Sequence, residues 1–282
     1  METRIERGDL KHSLVKQIIF RSDYEGVIDK DIEDVIAQIR KFIYDNGFTE
    51  FEESNEIETN IQFNPDMVNG EQQSIPVNRI IYRFTKNQFE EIVLSKNYLV
   101  LTINIVDSYE SFDNYMELMV FIINALTKTT DYFKILRIGL RKVNICLIND
   151  LDNINKVFST KAYSLTDWLG SDNFEYIGNN NVTNLINDIY NINYVRNILR
   201  GAMVENDVEM VAFQLIVDID IFIENIVTLK QICQNKNNIH KSLTEMNDII
   251  FELFTDSLQN NFLKQLTQDE LSDEYSFVMG VN

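Results

Sequence analysis

Cysteine, histidine, proline and glycine are all scarce in this chain, and each scarcity excludes a class of site or structure. Two cysteines, Cys146 and Cys233, without a C-x-x-C pair support neither a disulfide framework nor a thiolate metal site. The two histidines, His12 and His240, form none of the spacings that bind zinc. With 2 prolines and 9 glycines among 282 residues, the composition favours regular helices and strands over linkers and disorder.

The signatures of nucleotide binding and hydrolysis are absent as well. The sequence contains neither G-x-x-x-x-G-K-[ST] nor G-x-G-x-x-G, and no nucleophile-elbow glycine pattern accompanies either histidine. No apolar run reaches the length of about 18 residues that a membrane helix needs, and the polar start has no apolar core of a signal peptide. We therefore expect a cytoplasmic protein without a cofactor or metal, and a non-catalytic function.

Positive charge is in short supply. The chain has 25 Lys+Arg against 44 Asp+Glu, which gives a net charge of -19. A field of that sign repels the nucleic-acid backbone and anionic lipid, so we expect neither a direct nucleic-acid partner nor a membrane partner. The acidity itself agrees with a basic protein partner, with mimicry of nucleic acid, or simply with high solubility.

The hydrophobic periodicity predicts an α+β fold with twisted, mostly antiparallel sheets covered by helices. In the first half we expect a strand, a helix, a second strand, a meander of three strands and an amphipathic helix. The predicted ranges are Leu14 to Phe20, Asp29 or Asp31 to Asn46-Gly47, Glu56 to Asn64, Arg79 to Thr85, Phe89 to Ser95, Tyr98 to Val106, and a helix that starts at Ser108 or Ser111.

The second half is predicted to contain an irregular or inserted Asn-rich region, an antiparallel strand pair, a long helix and an acidic surface tail. The ranges are Ser159 to Asn193, Tyr194 to Val204 with Val208 to Ile223, Leu229 to Leu266, and Thr267 to Asn282. A domain boundary near Asp150 divides the chain into an N-terminal lobe, 1–150, and a C-terminal lobe, 151–282. The alternative is one continuous body.

The stretch from Phe133 to Ile148 is the densest β-type segment, and it holds a candidate anion site. At a period of two, Arg137, Gly139 and Arg141 fall on one face of the predicted strand. Guanidinium forks suit carboxylate and phosphate, so these residues are candidates for binding a small anion or nucleotide. The alternative is that both arginines pair with carboxylates on a neighbouring strand.

Asp218 and Asp220 are the first candidates for those carboxylates. They share the polar face of a strand whose other face is apolar from Val211 to Ile223. Two alternate acids on one strand also agree with an Mg²⁺ site or with acid–base catalysis.

The long C-terminal helix shows a heptad-like spacing. Its apolar residues repeat every seven positions, which agrees either with a helix packed along the sheet, broken near Asn235 to Asn238, or with a homodimer seam. Trp168 is either an interaction hot spot or a loop anchor. The predicted interface residues are Ile232, Ile239, Met246, Leu253 and Trp168.

From Arg79 to Leu147 the order of meander, amphipathic helix and R-I-G-L-R-x-x-N resembles a sporadically distributed family of prokaryotic proteins of about this length. This chain has Lys142-Val143 where an aromatic and an aliphatic residue are usual. The matching residues are Arg137, Ile138, Gly139, Leu140, Arg141 and Asn144.

The C-terminal half is similar too, with Asp218 to Asp220 closing an apolar strand and Leu253 to Asp256 in the following helix. The resemblance implies no known chemistry. It implies genes that move between genomes, often beside defence or toxin–antitoxin modules.

Three functional hypotheses follow. The first is a non-catalytic interaction or accessory protein of a mobile prokaryotic defence or toxin–antitoxin-like system, acting with a protein partner or as a homodimer. The second is a small-anion or nucleotide sensor that uses Arg137 and Arg141. The third is a metal-dependent enzyme that uses acidic residues.

Overall fold

Ten strands pair into one antiparallel sheet in a computed structural model that describes residues 5–62, 73–106, 112–163, 177–205 and 208–279. The strands are β1 Val15–Glu25, β2 Glu50–Gln62, β3 Gln73–Lys86, β4 Glu90–Ser95, β5 Tyr98–Asn104, β6 Lys134–Ile148, β7 Gly178–Asn187, β8 Tyr190–Glu205, β9 Val208–Ile223 and β10 Val278–Met279. The helices are α1 Asp29–Asp45, α2 Asp113–Leu126, α3 Ile154–Val157, α4 Ile226–Cys233, α5 Lys236–Ser257 and α6 Asn260–Gln265.

Strand β6 lies at the middle of the sheet. The strand order is β2-β3-β4-β5-β1-β6-β9-β8-β7, and β10 also pairs with β6. The two ends of this order, β2 and β7, therefore have a neighbour on one side only among the described strands. The predicted α+β fold, with a large antiparallel sheet and a long C-terminal helix, is confirmed.

The two faces of the sheet differ in chemistry because side chains alternate along each strand. On β6, Ile138 and Leu140 are buried in the hydrophobic core that α1, α2 and α5 complete. We call this the helix face. Arg137 and Arg141 point to the opposite side, which we call the charged face.

The sheet runs without interruption across the boundary predicted near Asp150. Strand β6, from the predicted N-terminal lobe, pairs with β9, from the predicted C-terminal lobe, in a register that runs from Ile138 opposite Ile223 to Ile148 opposite Phe213. The hydrophobic core also draws residues from both ranges. This continuity is what the alternative of one continuous body requires.

The Asn-rich region was predicted to be irregular, and that prediction is wrong for its second half. Residues 178–187 form β7, which pairs with β8 around a two-residue turn at Asp188 and Ile189. Asparagine is a poor strand former in isolation, but a complete ladder with a neighbouring strand overrides that preference. Residues 164–176, which include Trp168, lie outside the described residues.

The C-terminal region also departs from its prediction. The long helix is divided into α4, α5 and α6. The first break is the one that the alternative placed near Asn235 to Asn238, where the Asn235 side chain caps α5 by accepting from the backbone N–H of Asn237. The second break was not predicted, and it follows Leu258, whose backbone is extended. The tail is not a surface segment throughout, since Tyr275 and Phe277 are buried and β10 pairs with β6. None of the described helices combines the length and apolarity needed to cross a membrane.

Candidate functional site

The two arginines that flank Gly139 each hold a carboxylate of β9 on the charged face. Arg137 donates from Nη2 to both oxygens of Asp220, at 2.8 and 3.0 Å. Arg141 donates from Nε to Oδ1 of Asp218 at 2.8 Å and from Nη2 to Oδ2 at 2.6 Å. Charge-assisted bonds of this kind are the strong class of protein hydrogen bond. The sheet thus brings together all four charged residues that the sequence singled out.

The register explains why these pairs run diagonally. Arg141 lies directly opposite Asp220, and Val143 lies opposite Asp218. Diagonal neighbours on an antiparallel pair are within reach of long side chains, so Arg141 crosses to Asp218, two residues from its direct partner. Arg137 instead extends past Phe222, which lies opposite Gly139, to reach Asp220.

Gly139 makes room for an aromatic ring rather than for a ligand. It lies opposite Phe222, and a Cβ at position 139 would lie 3.0 Å from the Cβ of Phe222 and 3.3 Å from Nε of Arg137. The Arg137 guanidinium lies over the Phe222 ring, 4.1 Å from its centroid. The space beside the glycine is therefore filled by a stacked cation and ring.

The electrostatics of these pairs counts against an anion site. The hydrogen bond to Asp218 raises the pKa of Arg141. The Asp218 side chain is 12% exposed whereas that of Arg141 is 44% exposed, so the carboxylate is the buried partner. An incoming anion would have to displace Asp218 and leave its charge buried without a counter-charge, which is costly.

Neither a metal site nor a reactive thiol emerges from the described residues. Both candidate aspartates are held by arginine, and the described chain contains no group of three or more His, Cys, Asp or Glu side chains that could hold a metal ion. Burial raises the pKa of the Cys146 and Cys233 thiols to about 12, so both stay protonated at neutral pH.

Tyr98 on β5 is the centre of a second polar cluster on the charged face. Its hydroxyl donates to Glu56 of β2 at 2.9 Å, and the guanidinium groups of Arg79 and Arg21 lie 5.3 and 5.6 Å from its ring centroid. Burial and the bond to Glu56 raise the pKa of Tyr98 to about 12. Strands β2 and β5 are three steps apart, about 14 Å in a flat sheet. The two side chains therefore reach toward each other across β3 and β4.

Lys142 was not among the candidate site residues, and the sequence marked it only as a departure from the family pattern. It shares the helix face of β6 with Ile138 and Leu140, and it is buried. Burial, and next the charge of Arg7, lower the pKa of Lys142 to about 7, while Asp113 acts in the opposite direction. Strict alternation from Ile138 would have placed Lys142 in the core.

An aromatic groove lies between the C-terminal half of α1 and the edge strand β2. It has a volume of about 540 Å³, and Phe48 and Phe84 form its buried floor. Two aromatic side chains remain uncovered at its rim, Tyr44 at 60% and Phe51 at 55% exposure. The sequence did not reveal this groove, because only the packing of α1 against the sheet assembles it. The lining residues are Ile36, Arg40, Lys41, Tyr44, Asp45, Phe48, Thr49, Phe51 and Phe84.

The helix residues predicted to form a dimer seam pack inside the same molecule. Ile232, Ile239 and Met246 are buried in the hydrophobic core, and Leu253 packs against it. The helices that carry them lie along the sheet, with α5 against β6 and β9. The chain also breaks between α4 and α5, near Asn235 to Asn238. This is the arrangement expected for a helix that packs along the sheet.

The two partners of the Arg141–Asp218 pair differ in burial, and this difference can be tested by replacing each of them. We expect Arg141→Met to destabilise the fold by about 1–2 kcal/mol, because it leaves the more buried charge unpaired. Asp218→Asn should cost less, about 0.5–1 kcal/mol, because the arginine it leaves is partly solvated. Urea denaturation of the single and double variants measures these differences, and the double variant should cost less than the sum.

Arg40→Met is the control, because Arg40 is exposed and forms no ion pair with a described residue. Equal costs for R141M and D218N would contradict the assignment of Asp218 as the buried partner. In addition, millimolar inorganic phosphate should leave the melting temperature unchanged. A rise that R141M abolishes would revive the anion-sensor hypothesis.

Lys142 yields a pH dependence of stability. Its pKa is about 7 in the folded state and 10.5 when unperturbed. Between these values the unfolded chain binds a proton that the folded chain does not, so this group makes stability rise with pH, by at most about 1.4 kcal/mol per pH unit. Lys142→Met should remove that slope and be most stabilising, relative to wild type, below pH 7.

Chemical denaturation from pH 6 to pH 10 tests this, with exposed Lys128→Met as the matched control. Wild-type and K142M stability curves that run parallel between pH 7 and 10 would show that Lys142 does not titrate in this window.

Comparison with known proteins adds no assignment to this geometry. No protein-family model matches the chain, and no curated protein matches it. Among solved structures, the chain is similar to the S. pombe Pct1 RNA triphosphatase in complex with the Spt5 CTD, at 5% identity over 86% of each chain and a TM-score of 0.18. A similarity at that score carries no argument about fold or function.

Proposed function

We propose that this protein is a non-catalytic, cytoplasmic interaction protein that binds a partner protein in the aromatic groove between α1 and β2. The observation that carries the proposal is the exposure of Tyr44 and Phe51 above a floor of buried phenylalanines. Exposed aromatic side chains over an apolar pocket are typical of the centre of a protein interface.

The rim of the groove indicates the chemistry of the partner. Arg40 and Lys41 lie exposed at the groove, and neither forms an ion pair with a described residue. In a chain of net charge -19, two uncommitted cations beside an apolar pocket favour a segment that combines an apolar anchor with carboxylates.

The self-neutralised charged face also supports a non-catalytic role. The arginines proposed for a sensor are paired with Asp218 and Asp220, so neither the arginines nor the aspartates are left to bind an anion or a metal ion or to act as acid–base groups. Both alternatives, the anion sensor and the metal-dependent enzyme, therefore lose the residues on which they depended.

The family resemblance adds a candidate source for the partner. It implies genes that move between genomes beside defence or toxin–antitoxin modules. We therefore propose that the protein is an accessory or regulatory subunit of such a system, and that the partner is encoded by a neighbouring gene.

The experiment is affinity capture of the tagged chain when it is expressed together with its neighbouring genes, followed by reconstitution with the purified product. Tyr44→Ala should weaken the reconstituted complex at least about tenfold, because it removes an exposed aromatic anchor. Arg40→Glu with Lys41→Glu should weaken it too, and the loss should shrink as salt rises.

Tyr132→Ala is the matched control, since Tyr132 is an exposed tyrosine, 78% exposed, outside the groove. A complex that Y44A and Y132A affect equally would place the partner elsewhere on the surface. A chain that captures no neighbouring product at all would remove the support for the proposal.

A further inference from the structure

Among the described strands, β7 lies at one edge of the sheet, and it lacks the charges that usually protect such edges. Its sequence from Gly178 to Asn187 is GNNNVTNLIN, which contains no charged residue and no proline. Proteins usually block the edge of a sheet with charged side chains, prolines, bulges or very short strands, because an open edge can pair with another chain. The ten residues of β7 therefore lack both the charged side chains and the prolines that would block pairing.

The opposite edge of the sheet provides the contrast. Strand β2 has glutamate at five of its thirteen positions, EFEESNEIETNIQ. Two copies of β2 could not pair without placing carboxylates against carboxylates, which destabilises a strand pair. The two edges of the sheet thus differ in charge. The β2 edge is protected by its glutamates from pairing with β2 of a second copy, and the β7 edge has no such protection.

The hairpin that carries β7 is also an exception to the charge of the whole molecule. From Gly178 to Arg200 the chain contains one carboxylate, Asp188, and two guanidinium groups, Arg196 and Arg200. With a net charge of -19, two copies repel each other over most of their surface. The β7–β8 hairpin is a place where they can meet without bringing acidic surfaces together.

The edge is held in place by the rest of the fold. Buried Arg196 of β8 donates to Oδ1 of Asn181 at 2.8 Å and to Oγ1 of Thr183 at 2.6 Å, and it also donates to the backbone oxygen of Lys161 at 3.0 Å. These bonds tie β7 to the body of the protein. Little conformational entropy remains to be lost when a second strand pairs with it.

The hairpin shows which backbone groups of β7 point away from β8 and have no partner strand in the described part of the chain. The two-residue turn makes Asn187 and Tyr190 the closing pair, which is hydrogen bonded, and bonded pairs alternate from there along an antiparallel ladder. The N–H groups that point away from β8 are therefore those of Asn180, Val182, Asn184 and Ile186.

Apolar side chains accompany this outward row. Val182 is 56% exposed and Ile186 is 78% exposed, and both lie on the charged side of the sheet with Leu199 of β8, which is 47% exposed. Pairing with a second strand would cover Val182 and Ile186 while it satisfies the backbone groups.

We infer that the outer edge of β7 pairs antiparallel with β7 of a second copy of this chain, around a two-fold axis near Val182 and Thr183, so that the two sheets become one. Antiparallel pairing places Asp188 of one copy at the Gly178 end of the other, where Arg200 lies, and keeps the two Asp188 carboxylates apart. A strand pair alone buries less than the ~1,000 Å² of a stable interface, so the dimer is weak and forms at micromolar concentrations or above.

Sedimentation equilibrium of the full chain from micromolar to millimolar concentration tests this inference. Wild type should show a monomer–dimer equilibrium. Val182→Glu should raise the dissociation constant at least about tenfold, because it places two like charges close together at the axis. Asn55→Glu is the matched control, since it adds the same charge to an exposed position on the β2 edge and should leave the equilibrium unchanged.

Two further variants keep the test independent of folding defects. Asn184→Pro removes an outward N–H without removing a β7–β8 bond, and it should abolish the dimer. In a Cys233→Ser background, at least one of Val182→Cys and Thr183→Cys should form a disulfide-linked dimer on oxidation, whereas Asn55→Cys should not.

A wild-type chain that stays monomeric over the whole concentration range would overturn the inference. So would a dimer that V182E and N55E affect equally, or the failure of both edge cysteines to cross-link. Partner binding in the groove is a separate matter: Y44A should leave the dimer intact, and V182E should leave the groove complex intact.

Discussion

Strand β6 must satisfy two opposite environments at once, and the rest of the structure depends on how it does so. One side of this central strand is buried under helices, so it carries apolar residues such as Leu140. The other side carries two guanidinium groups in the middle of a wide sheet. They are tolerable there because β9 supplies Asp218 and Asp220 in a register that lets each arginine reach one carboxylate. The β6–β9 pairing therefore does two things at once. It joins the two halves of the chain, and it neutralises the two arginines of β6 on the charged face.

That neutralisation bears on the function that we propose. The register of the strands places five arginines on the charged face, and they attract an anion only if they are available. They are Arg21, Arg79, Arg83, Arg137 and Arg141. Here their carboxylate partners come from the same chain, as in Arg21 with Asp23 and Arg83 with Glu91. The arginines in an acidic chain are thus used mainly to hold its own sheet together. The two surfaces for which we propose a binding function, the α1–β2 groove and the β7 edge, are places where cations have no ion-pair partner among the described residues or where charge is absent.

The two ends of the sheet differ for the same electrostatic reason. In a protein of net charge -19, surfaces rich in carboxylates repel the same surfaces of a second copy. The β2 edge keeps five glutamates and is protected from its own copy. The β7 edge has none, and the aromatic groove has at its rim two cations, Arg40 and Lys41, that form no ion pair with a described residue. The net charge of the chain does not distinguish these surfaces, but the local charge does. The uncharged β7 edge suits the proposed second copy, and the groove with its basic rim suits the proposed partner protein.

The sequence by itself determined the α+β class, the meander, the position of α1 and the central strand, because periodicity and caps are local properties of the chain. It also identified the four charged residues of β6 and β9, since alternation places arginines and aspartates on one face of their strands. It left open whether those residues face each other, because that depends on a register between segments about 80 positions apart. The tertiary structure decided this in favour of ion pairs. It also turned the Asn-rich tract into an edge strand, buried Lys142, and used the heptad-like residues inside the core. Each of these outcomes depends on what packs against a segment, and local sequence does not specify that neighbour.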